Sequence, residues 1–559
     1  MNGAHEQKSF ASGVMALTLS VTAVKIIGLV YKIPLLKILG AEGMGYFNAA
    51  YELYALFFVL STAGLPVAVS ILISEHAAKG RMRQVGKIHK ISLIVFSCLG
   101  SLGTLIMGVG AAGFADLLES QMARLCILAI SPSVLFVCIS GAMRGFFQGM
   151  QDMRPTAVSQ VVEAIGKLFL GLVFALAAVR RGCSVPICAA YAVLGVTAGS
   201  FLSMLYLLIT KSMTRISPLR PERFVYCERA GEICKRLVSL AIPVTLSSSL
   251  SGLSRVIDMG MMLRRLQAVG YSSSEAAAMY GCYSTLALPV YSIPASLIAG
   301  VSVSLVPTLT SAVGKGRGER AEELVNTALK MCLFLSVPCA FGLAAFAKPL
   351  LSLMFAGEPD SVRVAAPLLI CLSFSVCSSC LLGVTNAVLQ AYHRETLPIY
   401  SMLFGLVLKT VSAYYLIGHE GVGVYGAAIS TLVGNTAAVA ANFHYVDTHV
   451  KVRTNILKLS MPPLFASFLS VGFCFVLWRL LCSRMSETLA VILCVLLCVV
   501  VYLFVGGRMG VYGDKEIGML PRGEKLLEIL YKLGFLKKRK DRKDEQRGYD
   551  QRADRQRSV

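Results

Sequence analysis

The sequence predicts an all-α polytopic membrane protein, with about fourteen transmembrane helices in two repeated lobes around a central cavity. Three observations predict it. Of 559 residues, 56% are hydrophobic and 15% charged, and the mean hydropathy is +0.69, more apolar surface than a soluble domain can hide. Windows of roughly 20 mainly apolar residues, the length a spanning helix needs, recur between short polar clusters. The chain also echoes itself. SGAMRGFFQGMQDMRPTAVSQVVEAIGKLFL from Ser140 is answered by LLGVTNAVLQAYHRETLPIYSMLFGLVLKT from Leu381, which aligns Gln148 with Gln390, Pro155 with Pro398 and Lys167 with Lys409. In a second register, TAGLPVAVSILISEHAAKGR from Thr62 matches IAGVSVSLVPTLTSAVGKGR from Ile298, 236 positions later. Matches of this kind mark a duplicated bundle.

Taken in order, the apolar windows of the first half are 10–30, 47–73, 91–114, 122–147, 156–179, 187–209 and 237–262. Those of the second half are 279–306, 328–347, 364–390, 398–417, 422–445, 463–481 and 489–505. The expected organisation is an N-terminal lobe over 1–210 (helices 1–6), a linker over 211–236 and a C-terminal lobe over 237–445 (helices 7–12). Two further helices over 446–505 and a basic tail over 506–559 complete it. The first window is too long, and too interrupted by Lys25, to read as a cleaved secretory signal. The linker is the longest polar interval and contains Pro218 and Pro221. Prolines also fall inside the windows, among them Pro66, Pro289, Pro294 and Pro338. In a bilayer these permit bends where neighbours take up the freed backbone groups.

The formal charge of +22 is distributed as a topology signal, not as a nucleic-acid surface, and no nucleic-acid partner is expected. Lys79, Arg81, Arg83, Lys87 and Lys90 follow the second helix, Lys211 to Arg236 follow the sixth, and fifteen Lys and Arg lie after Val505. The opposite loops hold only pairs such as Arg180 with Arg181. Both termini are therefore expected to be cytoplasmic, in a multi-pass protein of the cell membrane. An amphipathic segment over 524–536 and the basic end after it predict contact with anionic lipids.

Most of the seventeen cysteines lie inside apolar windows and read as packing residues, including the CxxC formed by Cys377 and Cys380. No GxxxxGK[ST] loop, Ser/His/Asp set or metal-ligand cluster is evident, so neither an enzyme nor a cofactor is expected. What needs a reason is the set of ionisable residues within the windows, each costing roughly 2.5 to 3.5 kcal/mol at mid-bilayer. The cations are Lys25, Arg144, Lys167, Arg255 and Lys409, and the acids are Glu52, Glu163 and Asp258. Glu163 with Lys167 (i,i+4) and Arg255 with Asp258 (i,i+3) can each pair on one helix face, which would account for four of the eight. Lys32 lies seven residues beyond Lys25 on the same face. The basic excess predicts a wet cavity that attracts an anion such as a pyrophosphate.

Three stretches carry a family resemblance: KIPLLKILGAEGMGYFNAAYELYALFFVLSTAGLPVAVSILISE from Lys32, RGFFQGMQDMRPTAVSQVVEAIGK from Arg144, and GCYSTLALPVYSIPASLIAGVSVSLVPTLT from Gly281. Over about the first 450 residues the chain resembles the oligosaccharide and polysaccharide flippases of the multidrug/oligosaccharidyl-lipid/polysaccharide exporter superfamily. Within it the stage V sporulation protein B group and the related lipid II flippases of peptidoglycan synthesis are the most similar. The resemblance implies a monomeric two-lobed bundle that moves a polyprenyl-pyrophosphate-linked oligosaccharide from inner to outer leaflet by alternating access. It places Lys25, Lys32 and Arg255 on the cavity wall, with Arg144 and Lys167 as further substrate-binding candidates. Glu52, Asp258 and Glu163 are the candidates for coupling an ion. Much of the family pattern has Arg where this chain has Lys25 and Lys32, which weakens a bidentate phosphate grip. Two other readings compete: a multidrug/cation antiporter of the same superfamily, which calls for a cavity of unpaired acids, and a non-transporting envelope scaffold acting through the tail.

Overall fold

The computed structural model describes residues 2–213, 228–315, 317–419, 421–450 and 456–513, with positions 528, 531, 532 and 535 beyond them. Most of the expected linker (214–227) and almost all of the basic tail lie outside the described residues, as does the side chain of Lys25. Among the described residues every regular element is helical.

The apolar windows become helices because a backbone in hydrocarbon must satisfy its own hydrogen bonds. Helix α1 (Asn2–Thr62) carries the first window and most of the second. They meet at Gly40, whose φ of 68° and ψ of 177° fall in a region that only glycine occupies readily. The second window then breaks at Gly64, and α2 (Leu65–Ala78) restarts with Pro66 in its first turn, where a missing N–H costs no helical bond. Next come α3 (Met82–Val109), α4 (Ala111–Leu117), α5 (Arg124–Ile130), α6 (Pro132–Gly149), α7 (Arg154–Arg180), α8 (Val185–Met213) and α9 (Ala230–Ala268). Helix α10 (Ser273–Cys282) opens on a capping box, in which Ser272 accepts from the Glu275 N–H and Glu275 accepts from the Ser272 N–H. A π-helical turn over Tyr283–Ala287 joins it to α11 (Leu288–Gly314). The second half continues with α12 (Gly318–Ala345), α13 (Ala347–Met354), α14 (Pro359–Ser373), α15 (Val376–Ala391), α16 (Thr396–Ile417), α17 (Tyr425–Tyr445), α18 (Ile456–Leu481) and α19 (Glu487–Arg508). Each of the fourteen windows falls on these helices. Among the described residues ten stretches are long and apolar enough to cross a membrane, or eleven if α14 and α15 count as one bent span.

The chain divides into two compact units. The first comprises Met1–Val290, Leu351–Leu372 and Ile399–Ala437. In it, α6 lies along α2 through glycines at four-residue spacing: a Cβ on Gly145 would sit 2.7 Å from the Pro66 carbonyl oxygen, and one on Gly149 would sit 2.7 Å from Ile73 Cβ. Small residues let membrane helices approach this closely. The second unit comprises Tyr291–Leu350, Ser373–Pro398 and Ala438–Val559. There α12, α18 and α19 pack round Phe334, with Tyr502 stacked on it at 5.6 Å and donating to its carbonyl at 2.8 Å. Asn442 is buried beside α15 and donates to Thr385 and Asn386, which meets the cost of placing an amide in hydrocarbon.

Gly145→Ala forces a methyl against backbone and should lower the thermal aggregation midpoint in detergent by several degrees. Gly141→Ala meets only side chains, the nearest atom at 3.3 Å, and should lower it less. Equal shifts for the two would contradict this packing.

Candidate functional site

The ionisable residues singled out in the sequence gather in the first unit, but not with the partners that helical spacing suggests. Glu163 does not pair with Lys167; its Oε2 accepts from Arg144 of α6 at 2.9 Å. Arg255 does not pair with Asp258; its Nε donates to Glu52 of α1 at 2.9 Å. Asp258 instead forms an ion pair with Lys409 of α16. The local pairs are thus replaced by three pairs between helices. The physical reason is reach: a residue three or four places away offers one neighbour, whereas a crossing helix offers a partner and further donors or acceptors at once. Arg144, 8% exposed, shows the gain, because Nε also donates to Ser159 (3.0 Å) and Nη2 to Ser203 (3.0 Å). A buried charge needs such additional bonds to offset its desolvation.

Two lysines stand apart. Among the described residues neither Lys32 nor Lys167 has a carboxylate at salt-bridge distance. Lys167 Nζ lies 4.2 Å above the Tyr51 ring and 5.8 Å from the Tyr31 ring. Contacts of this type contribute about 0.5 to 2 kcal/mol, less than an ammonium loses on leaving water. Lys32 donates to the Ser284 carbonyl at 2.9 Å, a dipole and not a counter-charge. Glu52 and Lys167 are both close enough to Lys32 to act on its charge.

Beside Lys167 is a cavity of about 340 Å³ whose walls include Tyr31, Tyr51, Tyr54, Arg144, Glu163 and Lys167. The tyrosines belong to a continuous aromatic run on α1, in which Phe47 and Tyr51 are stacked at 6.1 Å and Tyr51 and Tyr54 are tilted at 5.8 Å. Arg144 and Lys167 therefore share the cavity wall. Arg255 is paired with Glu52 yet 43% exposed, so that pair is not sealed. Val24 and Gly28 of the Lys25 turn also line the cavity, while the Lys25 side chain is outside the described residues. The aromatic wall was missed in the sequence, although Phe47, Tyr51, Tyr54 and Phe58 recur at i, i+4, i+7 and i+11, one helix face. Among the described residues no group of three or more His, Cys, Asp or Glu is placed to hold a metal ion.

Helix α9 reaches the first helices at two further points. Arg236 bonds Glu75 of α2 and Glu228, both at 2.9 Å, and Arg264 bonds Glu119 at 3.2 Å.

Removing only the acid at the cavity should be worse than removing both charges. Glu163→Ala leaves Arg144 buried without its counter-charge and should cost about 3 to 5 kcal/mol. The double change Arg144→Leu, Glu163→Leu should cost clearly less, measured by SDS-induced unfolding. A double variant as unstable as the single one would contradict the pairing.

The comparisons with known proteins agree with this architecture. The family described as "Polysaccharide biosynthesis protein" matches residues 10–313, and the MatE family matches residues 243–415. The chain is 26% identical to stage V sporulation protein B of Bacillus subtilis (strain 168) over 470 residues, covering 84% of this chain and 89% of that protein. It is also 26% identical to the lipid II flippase MurJ of Bacillus subtilis (strain 168) over 537 residues, covering 91% and 98%. Among solved structures, a lipid II flippase MurJ in an inward closed conformation superposes with a TM-score of 0.66 at 16% identity, covering 88% of this chain and 98% of that one. The fold is thus that of the MurJ and MATE transporters, and with more than half of its length matched, the chain belongs to the polysaccharide biosynthesis protein family.

Proposed function

We propose that the protein is a flippase that moves a polyprenyl-pyrophosphate-linked oligosaccharide, lipid II or a polysaccharide repeat unit, from the inner to the outer leaflet by alternating access and without covalent chemistry. The observation that carries this reading is the pair Lys32 and Lys167: two ammonium groups within spanning helices, neither with a carboxylate at salt-bridge distance among the described residues, Lys167 beside a tyrosine-walled cavity. An anion is the species such a site favours. At about 340 Å³ the cavity has room for the charged part of a head group. Tyrosine faces and hydroxyls suit the sugar next to it, and the polyprenyl tail stays in lipid. Arg144 is the paired basic residue of the wall, Lys25 and Arg255 are further substrate-binding candidates on the family resemblance, and an inside-negative potential favours outward movement of an anion.

The similarity to a lipid II flippase along nearly all of both chains supports the substrate class. The basic connection between α2 and α3 supports cytoplasmic termini; the two lobes of the proposal, 1–210 and 237–445, rest on the internal repeat. The antiporter reading has the MatE match over 243–415 in its favour. Against it, the three acids singled out within the spans, Glu52, Glu163 and Asp258, each hold an Arg or Lys among the described residues, whereas a cationic cargo calls for unpaired ones.

In a strain depleted of its lipid II flippase, the wild-type chain should restore growth. The double variant Lys32→Ala, Lys167→Ala should fail at equal membrane abundance. Growth of the double variant at the wild-type rate would sink the assignment. A chain truncated after Gly513 should still complement, whereas a scaffold acting through its tail should not.

A further inference from the structure

The crossing of α1 with α10 joins equivalent positions of the two repeats. A Cβ added to Gly45 would lie 2.0 Å from the Ala277 carbonyl oxygen, and one added to Gly281 would lie 2.0 Å from the Ala41 carbonyl oxygen. Ala41 and Ala277 are 236 residues apart, as are Gly45 and Gly281, the same offset that aligns Thr62 with Ile298. The contact is therefore isologous within one chain, each half presenting the same Ala-xxx-Gly face to the other. Such a self-matched contact ties equivalent positions of the two repeats to one another.

Two polar ties hold this crossing among the described residues. Asn48 of α1, 3% exposed, donates to Thr285 Oγ1 at 2.7 Å. The second is Lys32 on Ser284. The Leu288 N–H reaches back five residues to the Tyr283 carbonyl, and the next residue, Pro289, has no N–H to offer. The helix ladder thus has no donor for the Ser284 carbonyl, and the Lys32 ammonium supplies one at 2.9 Å. Single π turns of this kind recur at functional sites.

We propose that Lys32 is a positioning residue that couples anion occupancy of the cationic site to the α1–α10 crossing. An anion that draws the ammonium from Ser284 removes one of the two ties, and the Gly45–Gly281 contact loosens. The proposal rests on the anion-site reading above, and the test separates the two.

The full chain carrying Ala277→Cys, a position 1% exposed at the crossing, is placed in nanodiscs, where both faces are reachable, and labelled with a maleimide. Peptide-resolved mass spectrometry distinguishes it from the seventeen native cysteines. Inorganic pyrophosphate should speed labelling of position 277 several-fold. Pro289→Ala, which restores a backbone donor competing with Lys32 at a residue that does not line the cavity beside Lys167, should abolish that acceleration while pyrophosphate binding by calorimetry persists. Binding without faster labelling, or a full response in the Pro289→Ala protein, overturns the coupling and leaves the anion site standing. No pyrophosphate binding overturns both.

Discussion

Charge held inside hydrocarbon is the constraint from which the rest of this structure follows. Each ionised group there is penalised unless it finds an opposite charge or a set of dipoles. The chain meets that requirement across helices: Arg144 of α6 with Glu163 of α7, Arg255 of α9 with Glu52 of α1, Lys409 of α16 with Asp258 of α9. Pairs of this kind act as staples that fix which helices are neighbours. Among the described side chains singled out in the sequence, Lys32 and Lys167 depart from this, held by a carbonyl and by aromatic rings. A site kept short of negative charge at a cost to stability is most simply understood as one completed by a ligand that brings it.

The internal duplication gives this asymmetry a reference. Lys167 and Lys409 occupy equivalent places in the two echoing stretches, yet one rests over Tyr51 and the other on Asp258. The same inherited ammonium is thus left available in one half and neutralised in the other. Two halves that began alike now hold the same ammonium in different ways, one on aromatic faces and one on a carboxylate.

How much of this was legible in the sequence depended on the range of the interactions. The windows were legible because hydrocarbon imposes the same length and composition on every span. Pro66 was legible as a point where the second window can bend, since proline acts on its own backbone, whereas the full break just before it at Gly64 was read as continuous span. Partners were not legible, because the spacing of Glu163 and Lys167 says which residues can meet on one helix and nothing about which helix crosses it. The aromatic wall of Phe47, Tyr51 and Tyr54 was visible as a stripe, but such a stripe equally describes a packed core. Pro289 announced a bend, while the carbonyl it would strand at Ser284, and the lysine on α1 that would find it, depended on contacts 252 residues apart.

Helix α9 is tied to the first helices by Arg236, Arg255 and Arg264, near its beginning, its middle and its end. The terminal two are 28 residues apart, about 42 Å of helix. Pro243, which has no N–H to give the helix ladder, lies between the first two of these arginines, so the ties hold a mast with a joint in it. Solvated pairs such as these contribute little each, and like guy-ropes they steady the two segments without locking them together.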